Sequence, residues 1–152
     1  MSYHFELSEQ PEQPVLSIRT VTTAEQLPAQ FGKAFAALGQ YLRELNATPQ
    51  GIPFGAYYNM DMQRLDVEIG FPVAVPLPGN DTIQASVIPG GKQLSYLHKG
   101  SYQATAPVYE AMAQWIAQNG HTPTGVVYEF YLNSPAAVPE SELLTKIVFV
   151  LT

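Results

Sequence analysis

Residues 122–133 read TPTGVVYEFYLN, and residues 48–59 read TPQGIPFGAYYN. At a constant offset of 74, with no gap, they agree at Thr, Pro, Gly, Tyr and Asn, five of twelve positions. Both segments combine strand-forming residues with a turn signal, since Gly opens the run and Asn closes it. The agreement continues upstream, where Phe35, Leu38, Tyr41 and Leu42 fall opposite Tyr109, Met112, Trp115 and Ile116. At an offset of 78, LSI (16–18) faces LSY (94–96) and EIGFPV (68–73) faces KIVFVL (146–151). A two-copy period of roughly 70 residues is too long for a solenoid unit. It predicts a duplicated module with pseudo-two-fold symmetry.

Each copy reads as strand, helix, strand, strand. In the first, PVLSIRTV (14–21) alternates in polarity, and Phe31, Phe35, Leu38, Leu42 and Leu45 then recur at helical spacing. The helix start is open between a capping box at 23–26 and Pro28 as a first-turn residue. GIPFGAYYN (51–59) and RLDVEIGFPV (64–73) follow as strands. In the second copy, QLSYLHK (93–99) precedes a helix near 105–118, whose buried stripe is Tyr109, Met112, Trp115 and Ile116. Asn119-Gly120 stops it. GVVYEFYL (125–132) and LLTKIVFVL (143–151) complete the copy. The Pro- and Gly-rich connector has room for one short strand near 83–88. The expected fold is α+β, an antiparallel sheet with two helices on one face and a ligand cleft on the other. The expected organisation is one domain over 1–152, with repeat one about 14–75, a connector about 76–91 and repeat two about 92–152.

Composition narrows the function classes. The chain has 152 residues, 46% hydrophobic and 13% charged, with no cysteine and a net charge of −6. Its seven cations are scattered singly, whereas phosphate-backbone binding needs clustered positive charge. Direct nucleic-acid binding is therefore not expected. Without cysteine there are no thiolate metal sites or disulfides, and His4, His98 and His121 are far apart. Neither a metal nor another cofactor is expected. The acidic N-terminus is unlike a signal peptide and no apolar run reaches transmembrane length, so the expected location is the cytoplasm, with no membrane contact.

Glu129 is the misplaced residue of the repeat. It interrupts an apolar strand with an aromatic on each side, where an unpaired carboxylate is costly to bury. Alternation groups Tyr128, Phe130 and Leu132 on one face and Val127, Glu129 and Tyr131 on the other. The more apolar set, with Phe54 in the other copy, is assigned to the helix side. Glu129 and Tyr131 then project from the helix-free face. Their counterparts are Gly55 and Tyr57, so the expected site is an aromatic cleft with one acid and open space opposite. Val67, Ile69 and Phe71 should face the helix and Asp66, Glu68 and Gly70 should face away, which makes Glu68 a further candidate.

The segments LHKGSY (97–102), WIAQNGHTPTG (115–125), YEFYL (128–132), PESELLTKIVFVL (139–151) and LDVEIGFPV (65–73) carry a family resemblance. In order and spacing, the chain resembles the GyrI-like small-molecule-binding domain, the effector-binding domain of multidrug-sensing regulators of the MerR and AraC types. The resemblance implies a lipophilic, often cationic ligand held between the repeats, with a glutamate at the position of Glu129 meeting its charge. Tyr131, Tyr57, Gly55 and Glu68 are the accompanying candidates. Some free-standing members resemble hydrolases of strained cyclopropane compounds, for which Glu129 and Tyr131 would be the catalytic pair. The family name also suggests a protein partner, DNA gyrase, which this chain would inhibit. No helix-turn-helix segment precedes the repeats in this sequence, so the free-standing form is expected.

Overall fold

The computed structural model describes residues 3–152. In chain order its elements are β1 Glu6–Gln10, β2 Gln13–Thr22, α1 Leu27–Glu44, β3 Phe54–Tyr57, β4 Leu65–Pro72, β5 Gln84–Ile88, β6 Gly91–Lys99, α2 Ala106–Gln118, β7 Pro123–Tyr131 and β8 Leu144–Leu151. Short 3₁₀ turns occupy Tyr102–Thr105 and Glu140–Glu142. The class is α+β with antiparallel pairing throughout the ladders described below. No helix of the described residues is long and apolar enough to cross a membrane.

The chain forms two compact units. The first takes Glu12–Pro89, and the second takes Gly90–Thr152 with the N-terminal segment ending at Pro11. In the first, the strands lie in the order β3-β4-β2-β5; in the second, β7-β8-β6-β1. The registers repeat as the sequence does. Leu16 pairs with Phe71 and Leu94 with Phe149, each 78 residues on. Ala56 pairs with Glu68 and Phe130 with Lys146, offset by 74 on one strand and 78 on the other.

The edge strands are exchanged. β1 precedes β2 in sequence yet pairs with β6, while β5 precedes β6 yet pairs with β2. Leu16 faces Ala85 and Leu94 faces Leu7, so β1 and β5 are also counterparts at the 78-residue offset. Residues 6–10, part of the acidic N-terminus, form a mostly exposed edge strand. Four of its five residues are exposed, Leu7 among them, so ELSEQ needs little apolar signal.

Helix α1 begins at Leu27 with Pro28 in its first turn, so the proline and not Thr23 marks the start. Ala34, Leu38 and Leu42 recur every four residues and are buried. Both helices end alike. The amide of Ala47 bonds back to Leu42 O and that of His121 to Ile116 O, while Asn46 (φ 55°) and Gly120 (φ 74°) take the left-handed position. These two residues are again 74 apart. In the second unit, Val108, Met112 and Ile116 of α2 pack on Leu94, Val127, Ile147, Phe149 and Leu151. Each such side chain contributes about 2 kcal/mol when fully buried.

That cluster corrects the face assignment of β7. Val127 lies beneath α2, so Glu129 and Tyr131 share the helix-bearing face. Tyr128 and Phe130 stack on the opposite face, with Tyr128 2% exposed, and Leu132 is exposed. The same inversion holds in the first unit. Tyr57 packs on the cluster of Ala34, Val67 and Ile69, whereas the ring of Phe54 lies over Gly70. A Cβ at Gly70 would come within 2.9 Å of that ring. The apolar-set criterion failed because both faces of β3 and β7 bury side chains. For β4 the expected split holds, with Val67, Ile69 and Phe71 packed on the helix side.

Candidate functional site

Glu129 is anchored by the helix above it. The hydroxyl of Tyr109, from the first turn of α2, donates to Oε2 of Glu129, and the hydroxyl of Tyr131 donates to Oε1 at 3.0 Å. Tyr131 reaches this position because it lies two residues along the same strand face. Its ring meets that of Tyr102 edge-on at 5.8 Å, and Tyr102 is 40% exposed in the turn between β6 and α2. Across the ladder, β8 places Ile147 beside Glu129 and Thr145 beside Tyr131, and β6 places His98 beside Thr145. His98 is buried and its Nε2 lies 3.0 Å from Ser101 O.

Burial pushes the Glu129 carboxyl above its ordinary pKa, because the low-dielectric surroundings favour the neutral form. The bonds from Tyr109 and Tyr131, and the electrostatic influence of His98, pull the other way without offsetting burial. Tyr102 is raised as well, first by burial and then by the nearby Glu129 charge. Among the described residues, the buried hydroxyl of Thr145 has no hydrogen-bond partner. This arrangement therefore joins an under-compensated acid, three phenol rings, a histidine and an unsatisfied hydroxyl at one end of the second unit. It suits binding a cation or accepting a proton. No group of three or more His, Asp or Glu among the described residues is placed to hold a metal ion.

The first unit holds a second acid. Glu68 is 2% exposed on the helix-free face of β4. Its Oε2 accepts from Ser17 Oγ at 2.5 Å and its Oε1 from the Tyr58 hydroxyl at 2.5 Å. The Arg19 guanidinium lies 3.7 Å above the Tyr58 ring and pairs with Asp66 at 2.8 Å. That pairing holds Asp66 below the usual carboxylate range and raises Arg19 further.

Of the residues singled out by sequence, Glu129 and Tyr131 are joined directly. Tyr57, Gly55 and Glu68 belong to the first unit; Gly55 is buried in β3, Tyr57 packs at the α1 cluster, and Glu68 has its own hydroxyl partners. The sequence reading missed Tyr109, Tyr102, His98 and Thr145 around Glu129. Helical spacing assigns Tyr109 to the buried stripe of α2. A buried tyrosine needs a partner for its hydroxyl, and an acid on the facing strand was the available signal.

A family described as GyrI-like small molecule binding domain matches residues 4–151. Among solved structures, the EcmrR C-terminal domain is 22% identical with a TM-score of 0.80, over 100% of this chain and 99% of that one. EcmrR in complex with DNA is 24% identical with a TM-score of 0.83, over 98% of this chain and 57% of that one. The chain thus spans a little over half of that protein. A hydrolase from Listeria innocua is 12% identical with a TM-score of 0.67, over 97% and 91% of the two chains. SAV2435 bound to tetraphenylphosphonium is 12% identical with a TM-score of 0.63, over 98% and 94%. At these identities the likeness is one of fold. No curated protein matches the sequence.

Proposed function

The chain belongs to the GyrI-like small molecule binding domain family, and from that premise we propose that it binds lipophilic cations at Glu129. The observation that carries this reading is a partly buried carboxylate raised in pKa and ringed by Tyr109, Tyr131 and Tyr102. A desolvated acid among aromatic faces attracts an apolar cation twice, through its charge and through the ring quadrupoles. The ligand approaches from the exposed side, past Tyr102, and not from a helix-free face as the alternation of β7 suggested. Tetraphenylphosphonium, the ligand of SAV2435, is the natural probe. Glu68 takes a structural role here, because both its oxygens are engaged by hydroxyls and almost none of it is exposed.

Calorimetric titration of tetraphenylphosphonium into the native protein and into Glu129→Gln tests the reading. The expected result is a loss of tenfold or more in the variant, and equal affinity rejects it.

Hydrolysis is the second reading, and one observation favours it. A carboxyl with a raised pKa that already accepts two phenol hydroxyls has the makings of a general base beside hydrogen-bond donors. Glu129 would take a proton from water as the water oxygen bonds to an electrophilic cyclopropane carbon. The ring C–C bond breaks, Tyr131 or Tyr109 donates to the charge left by the departing electron pair, and the proton held by Glu129 passes to the released carbon. Incubation with such compounds and mass spectrometry of the products tests this. No turnover across a broad panel ends it.

A further inference from the structure

A recess of about 360 Å³ opens beside Tyr102 in the second unit. Its apolar lining is Pro135, Val138, Pro139 and Leu143, and its charged member is Glu140. None of the lining residues carries a positive charge. The next acid along, Glu142, is paired with Lys99 at 3.2 Å, so the negative charge facing the recess comes from Glu140. The volume falls within the range of small-molecule pockets, although the site is open on one side. Tyr102 is common to the recess and to the Glu129 cluster, through its edge-on contact with Tyr131. Leu143, which immediately precedes β8, lies two residues before Thr145.

We propose that this recess is an outer subsite that receives the second cationic head of a bis-cationic amphiphile whose first head lies at Glu129. The inference rests on the reading of Glu129 given above and extends it to a ligand class. Tyr102 lines the recess that holds Glu140 and meets Tyr131, the partner of Glu129, so two acids flanking one aromatic side chain match two positive heads joined by an apolar chain. A ligand with one head leaves Glu140 in water. The loop before β8, residues 133–142, then sets specificity, because it supplies Glu140 and three of the four apolar lining residues while the inner acid is fixed on β7.

Decyltrimethylammonium and decamethonium share a polymethylene chain and differ by one quaternary ammonium head, which isolates the outer charge. Calorimetry should show decamethonium binding the native protein about three- to fivefold more tightly, a range suited to a partly screened charge pair. Glu140→Gln should abolish that preference and leave decyltrimethylammonium within twofold of native. Glu129→Gln should weaken both ligands tenfold or more. Val138→Trp, which fills the recess from an apolar position, should also remove the preference, with circular dichroism verifying its fold. If decyltrimethylammonium binds in a Glu129-dependent way and decamethonium is no tighter, the subsite is rejected while the Glu129 reading stands. A preference that survives Glu140→Gln rejects it equally. Binding of neither ligand, with tetraphenylphosphonium also inert, overturns both.

Discussion

Glu129 and Glu68 are two carboxylates on strands of equivalent modules, and each accepts two side-chain hydroxyl bonds. They differ in what surrounds those bonds. Glu68 lies on the helix-free face at 2% exposure, with Ser17 and Tyr58 at 2.5 Å and the Arg19–Asp66 pair nearby. Glu129 lies under a helix, is only partly enclosed, and has phenols in place of a neighbouring guanidinium. A fully enclosed acid with short local partners consolidates its unit. An acid whose burial outweighs its hydrogen bonds is left short of positive charge, and a ligand can supply it.

Exchanging each acid for its amide is the largest test of that contrast. Glu129→Gln should cost tenfold or more in tetraphenylphosphonium affinity with little loss of stability. Glu68→Gln should leave affinity within twofold and lower stability by about 2 kcal/mol, because its enclosed hydroxyl donors lose a good acceptor. Parallel calorimetric titration and denaturant unfolding separate the two, and a binding loss in Glu68→Gln would erase the distinction. Next in size is the removal of single hydroxyls. Tyr58→Phe should destabilise by about 1–2 kcal/mol through the under-satisfied Glu68. Tyr109→Phe should push the Glu129 carboxyl still higher, since the lost bond favoured its ionised form. NMR titration of the Glu129 side chain reads that shift directly.

The pH dependence follows from the raised Glu129 value. Between the unfolded pKa and the higher folded one, the native state holds a proton that the unfolded chain has released. The contribution of Glu129 to stability is thus full below the unfolded pKa, falls as pH rises through this window, and is flat above the folded pKa. Cation affinity should change in the opposite sense, rising with pH as the carboxyl ionises. Glu129→Gln should flatten both profiles. The smallest expected effect is at Thr145, whose buried hydroxyl lacks a partner among the described residues. Thr145→Val keeps the shape and should stabilise by about 1 kcal/mol in thermal or denaturant unfolding.

The repeat was legible because it needs only residue identities at fixed offsets, and the registers of Leu16, Phe71, Leu94 and Phe149 reproduce it. Helix α2 was equally legible, since Met112 and Ile116 keep helical spacing up to the stop at Gly120. The face of β7 was not. Val127-Tyr128-Glu129-Phe130-Tyr131 has apolar bodies on both sides, so alternation gives the period without its phase. One clue to the phase was present. Lys146 is exposed and pairs with Phe130, which places Phe130 on the face away from the helix.

Sequence alone therefore determined the duplicated α+β architecture and the singular acid at 129, because both are matters of pattern along one chain. Which neighbours that acid acquires was decided by tertiary structure. Tyr109 meets Glu129 only when α2 docks on β7, and His98 joins the cluster only through the ladder of β6 on β8. Local periodicity carries no information about such partners, because the free energy that selects them comes from packing between segments distant in the chain.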